Sequence, residues 1–177
     1  DDIMLVGSLH VSGGAAKYNQ SQEGLEKQIR VNDQVVQVDG IRGNPPLLAY
    51  LITRRRRKTI TLRHPEELAI NIDKRGKKLG IDLTWSKPTG VLTVMSVCDG
   101  AVQEYNSSVR SAHEQLQKND RIIEVNGVDG MGRADRIVPI MKEAEMCTIK
   151  FHRQRIAAKD HEGLASKGMS NVLFFAI

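Results

Sequence analysis

The chain has 177 residues, of which 40% are hydrophobic and 4% aromatic, and its formal net charge is +5. This composition is long enough for one large domain or two small ones, with cores built mainly from aliphatic side chains. No apolar run reaches the roughly 18 to 20 residues of a membrane helix, and neither cysteine lies in a metal-ligand spacing. We therefore expect a cytoplasmic protein with free, buried thiols.

The most informative feature is an internal repeat. Residues 31–40 (VNDQVVQVDG) recur as residues 118–127 (KNDRIIEVNG), and the same offset of 87 residues pairs Leu5 with Leu92 without a gap. Many of the pairs that differ keep their chemistry. Such self-similarity indicates that one structural unit is present twice.

The repeat divides the chain into three parts. We predict a partial first domain at residues 1–64, a complete second domain at residues 65–154 and a tail with an apolar end at residues 155–177. Residues 66–89 precede the aligned region of the second copy, whereas only two residues precede that of the first. The first domain is therefore expected to lack its first two strands and the loop between them, which leaves one sheet edge exposed.

Strand and helix signals follow one another in the same order in both copies. Stretches rich in β-branched residues and leucine, bounded by glycine and serine, predict strands, and the Asp-Gly and Asn-Gly dipeptides predict hairpin turns. In the first copy, the expected elements are a strand at 3–11, a helical turn that closes at Tyr18, a strand after the turn at 32–33, a helix at 45–53 and a strand at 59–62.

The second copy adds two strands in front of this set. Its expected elements are strands at 68–72 and 79–85 that flank a basic loop at 74–78, a strand at 91–98, a helical turn that closes at Tyr105, a strand before Gly127, a helix at 134–146 and a strand at 148–151. Pro139 lies inside the expected helix. It either marks a first turn that begins after residue 134 or bends the helix locally.

This order of elements resembles that of a PDZ domain, in full over residues 66–153 and in part over residues 3–64. The most specific segments are Leu79–Leu83 (LGIDL), similar to the family's carboxylate-binding loop, and Asp120–Gly127 (DRIIEVNG), which follows Asn119 where the family usually has glycine. The resemblance implies a mainly β, α+β fold with two partly open antiparallel β-barrels or sandwiches in tandem, each capped by two helices.

The resemblance also implies a peptide groove between the second strand and the longer helix. There the C-terminal tail, or an internal strand, of a partner protein would extend the sheet. The backbone N–H groups of Leu79, Gly80 and Ile81 would hold the ligand carboxylate. The implied peptide-binding residues are Lys78, Leu79, Gly80, Ile81, Asp82, Leu83, Asp135, Val138 and Met141.

Individual roles in this groove follow from the alternation of side chains along a strand. Leu79, Ile81 and Leu83 would line the pocket for the last ligand side chain. Asp82 would face the other side and favour a Lys or Arg in the ligand, while Arg75, Lys77 or Lys78 could attract the carboxylate at long range.

The register of the longer helix has two solutions. Matching lengths places Asp135 at the family's ligand-selecting position, with Pro139 and Lys142 towards the groove. A shift by one residue gives a more apolar wall formed by Ala134, Val138 and Met141. Neither register supplies the histidine that selects Ser or Thr two residues before the end of the ligand.

The implied function is that of a non-enzymatic scaffold or adaptor. The dispersed histidines and the absence of nucleophile or phosphate-loop motifs indicate no catalytic residue, metal or cofactor. The alternatives are a regulatory segment of a larger protease or transporter, and a module that binds anionic lipid. The basic run of Arg54, Arg55, Arg56, Arg57 and Lys58 would make a weak contact with an anionic membrane. Nucleic acid is not expected as a partner, and the location would be the cytoplasm, at the inner face of a membrane through partners.

The apolar end of the tail, Phe175, Ala176 and Ile177, itself resembles a PDZ ligand. It could occupy the Leu79–Leu83 groove of its own or a neighbouring molecule and so cause self-association. Alternatively, residues 172–177 could pair with the open edge of the first domain. The third hypothesis is that the end of the tail is unstructured.

Overall fold

A computed structural model describes residues 3–54, 57–85 and 90–154, together with the backbone of residues 171–176. It contains two compact units. Unit 1 consists of Asp1–Pro65 and Arg155–Ile177, and unit 2 of Glu66–Gln154. Both combine antiparallel sheets with helices, which confirms the predicted α+β class.

Fourteen elements are described along the chain. In order, they are α1 (Gly14–Gln20), a 3₁₀-helix (Leu25–Lys27), β1 (Gln34–Val38), α2 (Pro45–Arg54), β2 (Arg57–Arg63), β3 (Glu66–Asp73), β4 (Ile81–Trp85), β5 (Leu92–Val97), α3 (Ala101–Ser108), β6 (Arg121–Val125), β7 (Val128–Asp129), α4 (Ala134–Glu143), β8 (Met146–Arg153) and β9 (Asn171–Ala176). None of the helices in the described ranges has the length and apolar character needed to cross a membrane.

Unit 1 is built on a three-stranded antiparallel sheet in the order β1, β2, β9. Ile60 and Leu62 of β2 face its core, and so do Val35 and Val38 of β1, where a register shift between Val35 and Gln37 interrupts the alternation of side chains. Leu48, 2% exposed, brings α2 onto the same core. The buried apolar residues of this cluster are Ile29, Val35, Val38, Leu48, Ile60 and Leu62.

The strand predicted at residues 3–11 is wrong as a continuous element. Leu5 forms only an isolated bridge with Gln34. Around it, Val6 exchanges backbone hydrogen bonds with Asn32 and Asp33, at 2.8 Å each. The same pair of bonds in unit 2 is made by Val94, so the ungapped pairing of Leu5 with Leu92 is also wrong by one residue. Unit 1 has one extra residue between this bridge and α1.

Unit 2 has a six-stranded sheet in which β3, β8, β6, β5 and β4 follow one another and β7 pairs with β6. Phe151, Ile149 and Val125 are fully buried in its centre. In β3, Ile70 and Ile72 are buried while the residues between and after them are exposed. The sheet therefore turns one face to the core that α3 and α4 also contact.

Helix α4 begins at Ala134, as predicted, and runs through Pro139 to Glu143. It ends three residues before the predicted boundary because Met146 already belongs to β8. Pro139 is exposed. Its position away from the core keeps the ring and the lost N–H bond out of the packed face.

Candidate functional site

Strand β4 ends the sheet of unit 2 and pairs with β5 on one side. Ile81 and Leu83 are half-buried and pack against the core cluster, whereas Asp82 and Thr84 are exposed. The backbone N–H and C=O groups of an edge strand are available for pairing with another chain. β4 is therefore a surface to which an extended peptide can add.

The turn before β4 points its carbonyl groups inward. The oxygens of Lys78, Leu79 and Gly80 accept hydrogen bonds from the backbone N–H groups of Ala101, Val102 and Cys98 at 3.1, 3.0 and 2.8 Å. Within the described parts of the chain, no group accepts a hydrogen bond from the N–H of Leu79 or Gly80. Adjacent N–H groups left open in this way form a site for an anion such as a carboxylate.

Gly80 is required by the geometry of this turn. Its φ is +78°, a region that favours glycine. A Cβ atom would lie 2.7 Å from the carbonyl oxygen of Cys98 and 2.8 Å from that of Asp99. Both neighbours are backbone, so only glycine lets the turn approach the start of α3 this closely.

The helix wall is apolar on the side that meets the core. Ala134, Ile137 and Met141 are buried, and Val138 is half-buried against the cluster that Leu79, Ile81 and Leu83 also contact. Asp135 is exposed instead, with its carboxylate 3.3 Å from the guanidinium of Arg133.

This arrangement bears on the two helix registers. Asp135, Pro139 and Lys142 are all exposed, whereas Ala134 and Met141 face the core. The hydrogen bond from Arg133 lowers the pKa of Asp135, so its carboxylate carries a charge at neutral pH. Exposure alone does not assign a side chain to the groove, so both registers stay predictions.

Asp82 is turned towards β5. Its Oδ2 accepts hydrogen bonds from Ser96 Oγ at 2.6 Å and from Cys98 Sγ at 3.2 Å. These bonds, the Ser96 bond first, lower the pKa of Asp82, and the charge of Lys78 contributes. Sequence reasoning missed Ser96 and Cys98, although Ser96 lies opposite Asp82 in the strand register.

Two cationic side chains of the basic loop before the turn form ion pairs. The Lys77 ammonium group lies 2.6 and 2.7 Å from the two carboxylate oxygens of Glu104, and Arg75 Nε lies 2.6 Å from Asp73. Lys78 is exposed. Of these cations, Lys78 is the one that directly precedes the open N–H groups.

Of the basic run at residues 54–58, the structure describes the side chains of Arg54 and Lys58, and the expected contact with an anionic membrane stays a prediction. Lys58 is 3% exposed, and its Nζ donates a hydrogen bond to the carbonyl oxygen of Ile52. Arg54 stacks over the ring of Tyr50, with 4.7 Å from its guanidinium carbon to the ring centre. Arg55 and Arg56 lie outside the described residues.

The backbone of tail residues 171–176 pairs antiparallel with β2 of unit 1, which agrees with the hypothesis of pairing at the open edge. For these residues it corrects the hypotheses of an unstructured end and of the Leu79–Leu83 groove in the same molecule, and the groove of a neighbouring molecule stays a prediction. Ile177 lies outside the described residues. In the described ranges, no three His, Cys, Asp or Glu side chains are grouped as metal ligands.

The chain is similar to PDZ domains of known structure. PDZ4 of MUPP1 is 23% identical with a TM-score of 0.42, covering 63% of this chain and 91% of that one. INAD PDZ45 in complex with NORPA CC-PBM is 16% identical with a TM-score of 0.41, covering 84% of this chain and 76% of that one. INAD PDZ45 in complex with an NG2 peptide is 18% identical with a TM-score of 0.38, covering 86% and 76%. No protein-family model matches the chain, and no curated protein matches it.

Proposed function

We propose that unit 2 is a PDZ-type module that binds the C-terminal segments of partner proteins, and that the chain acts as a non-enzymatic scaffold. The observation that carries this proposal is the pair of open N–H groups at Leu79 and Gly80, directly beside the edge strand β4. An edge strand alone would accept any extended chain. The open N–H groups add a preference for a free carboxylate.

In the proposed complex, the ligand adds a strand to the free side of β4. Its terminal carboxylate accepts hydrogen bonds from the N–H groups of Leu79, Gly80 and Ile81, while Lys78 supplies long-range attraction. Hydrogen bonds to a charged group contribute roughly 1.5–3 kcal/mol each. A ligand with an amidated end should therefore bind much more weakly than its free acid.

The side-chain preferences follow from the same geometry. An apolar last residue fits among the half-buried Leu79, Ile81 and Leu83 and the apolar side of α4. The charged, exposed Asp82 favours a basic ligand residue. Since α4 begins at Ala134 and offers no histidine there, a Ser or Thr two residues before the ligand end has no selected partner.

The test begins with a library of random decapeptides that end in a free carboxyl group, from which binders of the full chain are selected. The selected peptide is then titrated as free acid and as C-terminal amide into ¹⁵N-labelled full chain. We expect carboxylate-dependent shifts of the Leu79, Gly80 and Ile81 amides. Equal affinity of the acid and the amide would contradict the proposal, as would shifts confined to unit 1.

Two glycine variants provide a matched control. Gly76 and Gly80 have φ values of +77° and +78°, but a Cβ at Gly76 would meet nothing within 4 Å. Gly76→Ala and Gly80→Ala therefore carry similar backbone strain, and only the second displaces the turn. We expect Gly80→Ala to weaken binding more than about tenfold, a change of about 1.4 kcal/mol, while Gly76→Ala binds like the wild type.

A further inference from the structure

Strand β9 pairs with β2 in unit 1 as β3 pairs with β8 in unit 2. The closing strands correspond, because Thr59-Ile-Thr-Leu62 in β2 matches Thr148-Ile-Lys-Phe151 in β8. In unit 2, β3 pairs antiparallel with β8 so that Ile70 is opposite Ile149. In unit 1, β9 pairs antiparallel with β2 so that Leu173 is opposite Ile60.

The neighbours of these strands also correspond. The order β1, β2, β9 in unit 1 matches the order β6, β8, β3 in unit 2, and β1 and β6 are the repeated strands of the sequence. Position and direction are therefore the same for β9 and β3. The two strands nonetheless lie at opposite ends of their units in the sequence, since β3 opens unit 2 and β9 follows residue 170.

We infer that residues 171–176 serve as the first strand of unit 1 and complete its sheet within the same molecule. The surface involved is the edge of β2, and its partner is an apolar segment of the chain itself that adds as an antiparallel strand. Without β9, β2 would be an open edge that carries the core residues Ile60 and Leu62, 8% and 5% exposed. An open apolar edge of this kind promotes pairing with other chains.

The hydrogen bonds of β2 show which of its amides depend on β9. Thr59 faces β1, because its carbonyl oxygen accepts from Asp39 N at 2.7 Å and its N–H donates to Asp39 Oδ1 at 2.8 Å. Backbone groups alternate in direction along a strand. The N–H groups of Lys58, Ile60 and Leu62 therefore face β9, and Ile60 and Leu173 form a hydrogen-bonded pair.

A second observation concerns a lysine at the end of the longer helix. In unit 2, Lys74 directly follows β3, and its Nζ donates to the carbonyl oxygens of Met141 and Lys142 at 3.0 and 2.7 Å. Met141 is the eighth residue of α4, and Ile52 is the eighth residue of α2. The carbonyl oxygen of Ile52 accepts its hydrogen bond from Nζ of Lys58, which lies on β2.

The different position of the lysine donor in the two units agrees with a first strand of unit 1 that comes from elsewhere in the chain. Residues 171–177 contain no lysine, so β9 cannot supply the group that Lys74 supplies after β3. Unit 1 satisfies the same helix carbonyl from β2, the strand to which β9 is added. The helix end is thus stabilised without a contribution from the donated strand.

The test compares two proline variants of the full chain. Leu173→Pro removes an N–H that bonds to β2, whereas Val172→Pro removes one that faces away, because Val172 lies opposite Thr61. Amide hydrogen exchange is measured by NMR. We expect Leu173→Pro to speed exchange at Ile60 and Leu62 by roughly tenfold or more, and Val172→Pro to have a much smaller effect. The amides of Thr59 and Thr61, which face β1, serve as internal controls.

A peptide of residues 169–177 added to the Leu173→Pro chain should restore slow exchange at Ile60, and the same peptide with the proline should not. Exchange at Ile60 that is equally fast in the wild type and in Leu173→Pro would overturn the inference. Light scattering of the wild type decides the source of the strand. A monomer with slow exchange supports donation within one molecule, whereas a dimer with slow exchange overturns it in favour of strand exchange between copies.

Discussion

Both units bury an aspartate directly before the repeated strand, at Asp33 and Asp120. Each follows an asparagine with positive φ, 74° at Asn32 and 73° at Asn119. Each carboxylate also accepts a backbone hydrogen bond at 2.7 Å from the residue three positions earlier. The turn is therefore the same in both units, because asparagine tolerates the left-handed conformation better than most other residues.

The side chain that pairs with the aspartate differs between the units. His64 Nδ1 lies 2.6 Å from Asp33, and its Nε2 lies 2.7 Å from the carbonyl oxygen of Glu26. In unit 2, Arg153 donates to both oxygens of Asp120, at 2.8 and 2.6 Å, and to the carbonyl oxygen of His113 at 2.7 Å.

Glu26 and His113 are separated by the repeat offset, so His64 and Arg153 bridge the same two sites in their units. A histidine can donate to both only in its protonated form, whereas an arginine always can. This position therefore requires a side chain that donates to two acceptors at once. Unit 2 meets the requirement with an arginine, and unit 1 meets it with a histidine.

The largest difference between the units is expected when the carboxylates are removed. Asp120→Ala leaves the Arg153 side chain, 14% exposed, charged and without its partner. We expect unit 2 to lose about 3–5 kcal/mol of unfolding free energy. Asp33→Ala should cost unit 1 less, because the His64 side chain is 25% exposed and water can take the place of the lost partner.

Denaturant unfolding distinguishes the two effects. The single tryptophan, Trp85, reports unit 2 through its fluorescence, and the amide intensity of Ile60 reports unit 1. Equal losses for Asp33→Ala and Asp120→Ala would show that the choice of cation does not set the cost.

The buried lysines give the next largest contrast. Lys74→Met removes a charged donor from two carbonyl groups at the end of α4, and we expect a loss of about 2 kcal/mol in unit 2. Lys58→Met removes the donor from the Ile52 carbonyl, so its cost to unit 1 should be smaller. The same unfolding measurement tests both variants, and a larger loss for Lys58→Met would reverse this ranking.

Exchanging the histidine and the arginine between the units tests whether the two side chains are equivalent. Arg153→His keeps a donor for Asp120 and His113 but loses the bond that Arg153 Nη2 makes to the Gln115 carbonyl at 2.6 Å. We expect a cost of about 1 kcal/mol. His64→Arg should leave unit 1 at least as stable as the wild type. A clear loss with His64→Arg in the Ile60 amide measurement would mean that the site in unit 1 is shaped for histidine.

The sequence predicted the shared parts of the two units well. The Asn-Asp turn, the Asp-Gly and Asn-Gly hairpins and the two longer helices all carry local signals, since they depend on preferred backbone angles and on apolar spacing. The turn at Leu79–Gly80 was found through its resemblance to a known loop. Its open N–H groups became visible only when Cys98, Ala101 and Val102 took up the neighbouring carbonyls.

Other features depend on register, which sequence does not encode locally. The extra residue between Val6 and Gly13 is invisible without the hydrogen bonds of Val6. An apolar segment such as residues 171–176 predicts a strand without naming its partner. From sequence, Lys58 was interpreted as part of an exposed basic run. Its contact with the Ile52 carbonyl of α2 is a tertiary contact, which the local sequence does not predict.

The smallest expected effect concerns Ser96, which lies two residues after Val94 as Ser8 lies two residues after Val6. Ser96 donates to Asp82, while the described part of unit 1 has no strand at the place of β4. Ser96→Ala should raise the pKa of Asp82 towards its ordinary value, and Ser8→Ala should leave it unchanged. A carboxyl-detected NMR titration measures both variants.

The sign of the Asp82 effect is fixed by the direction of its shift. The folded state lowers the pKa of Asp82, so its contribution to stability is present above the unfolded pKa and is lost as the pH falls through the folded pKa. Ser96→Ala should therefore weaken the loss of stability of unit 2 at acid pH. The pH dependence of the stability of unit 1 should not change. An unchanged Asp82 titration in Ser96→Ala would assign the lowered pKa to the Cys98 thiol or to Lys78, and Cys98→Ala separates these two.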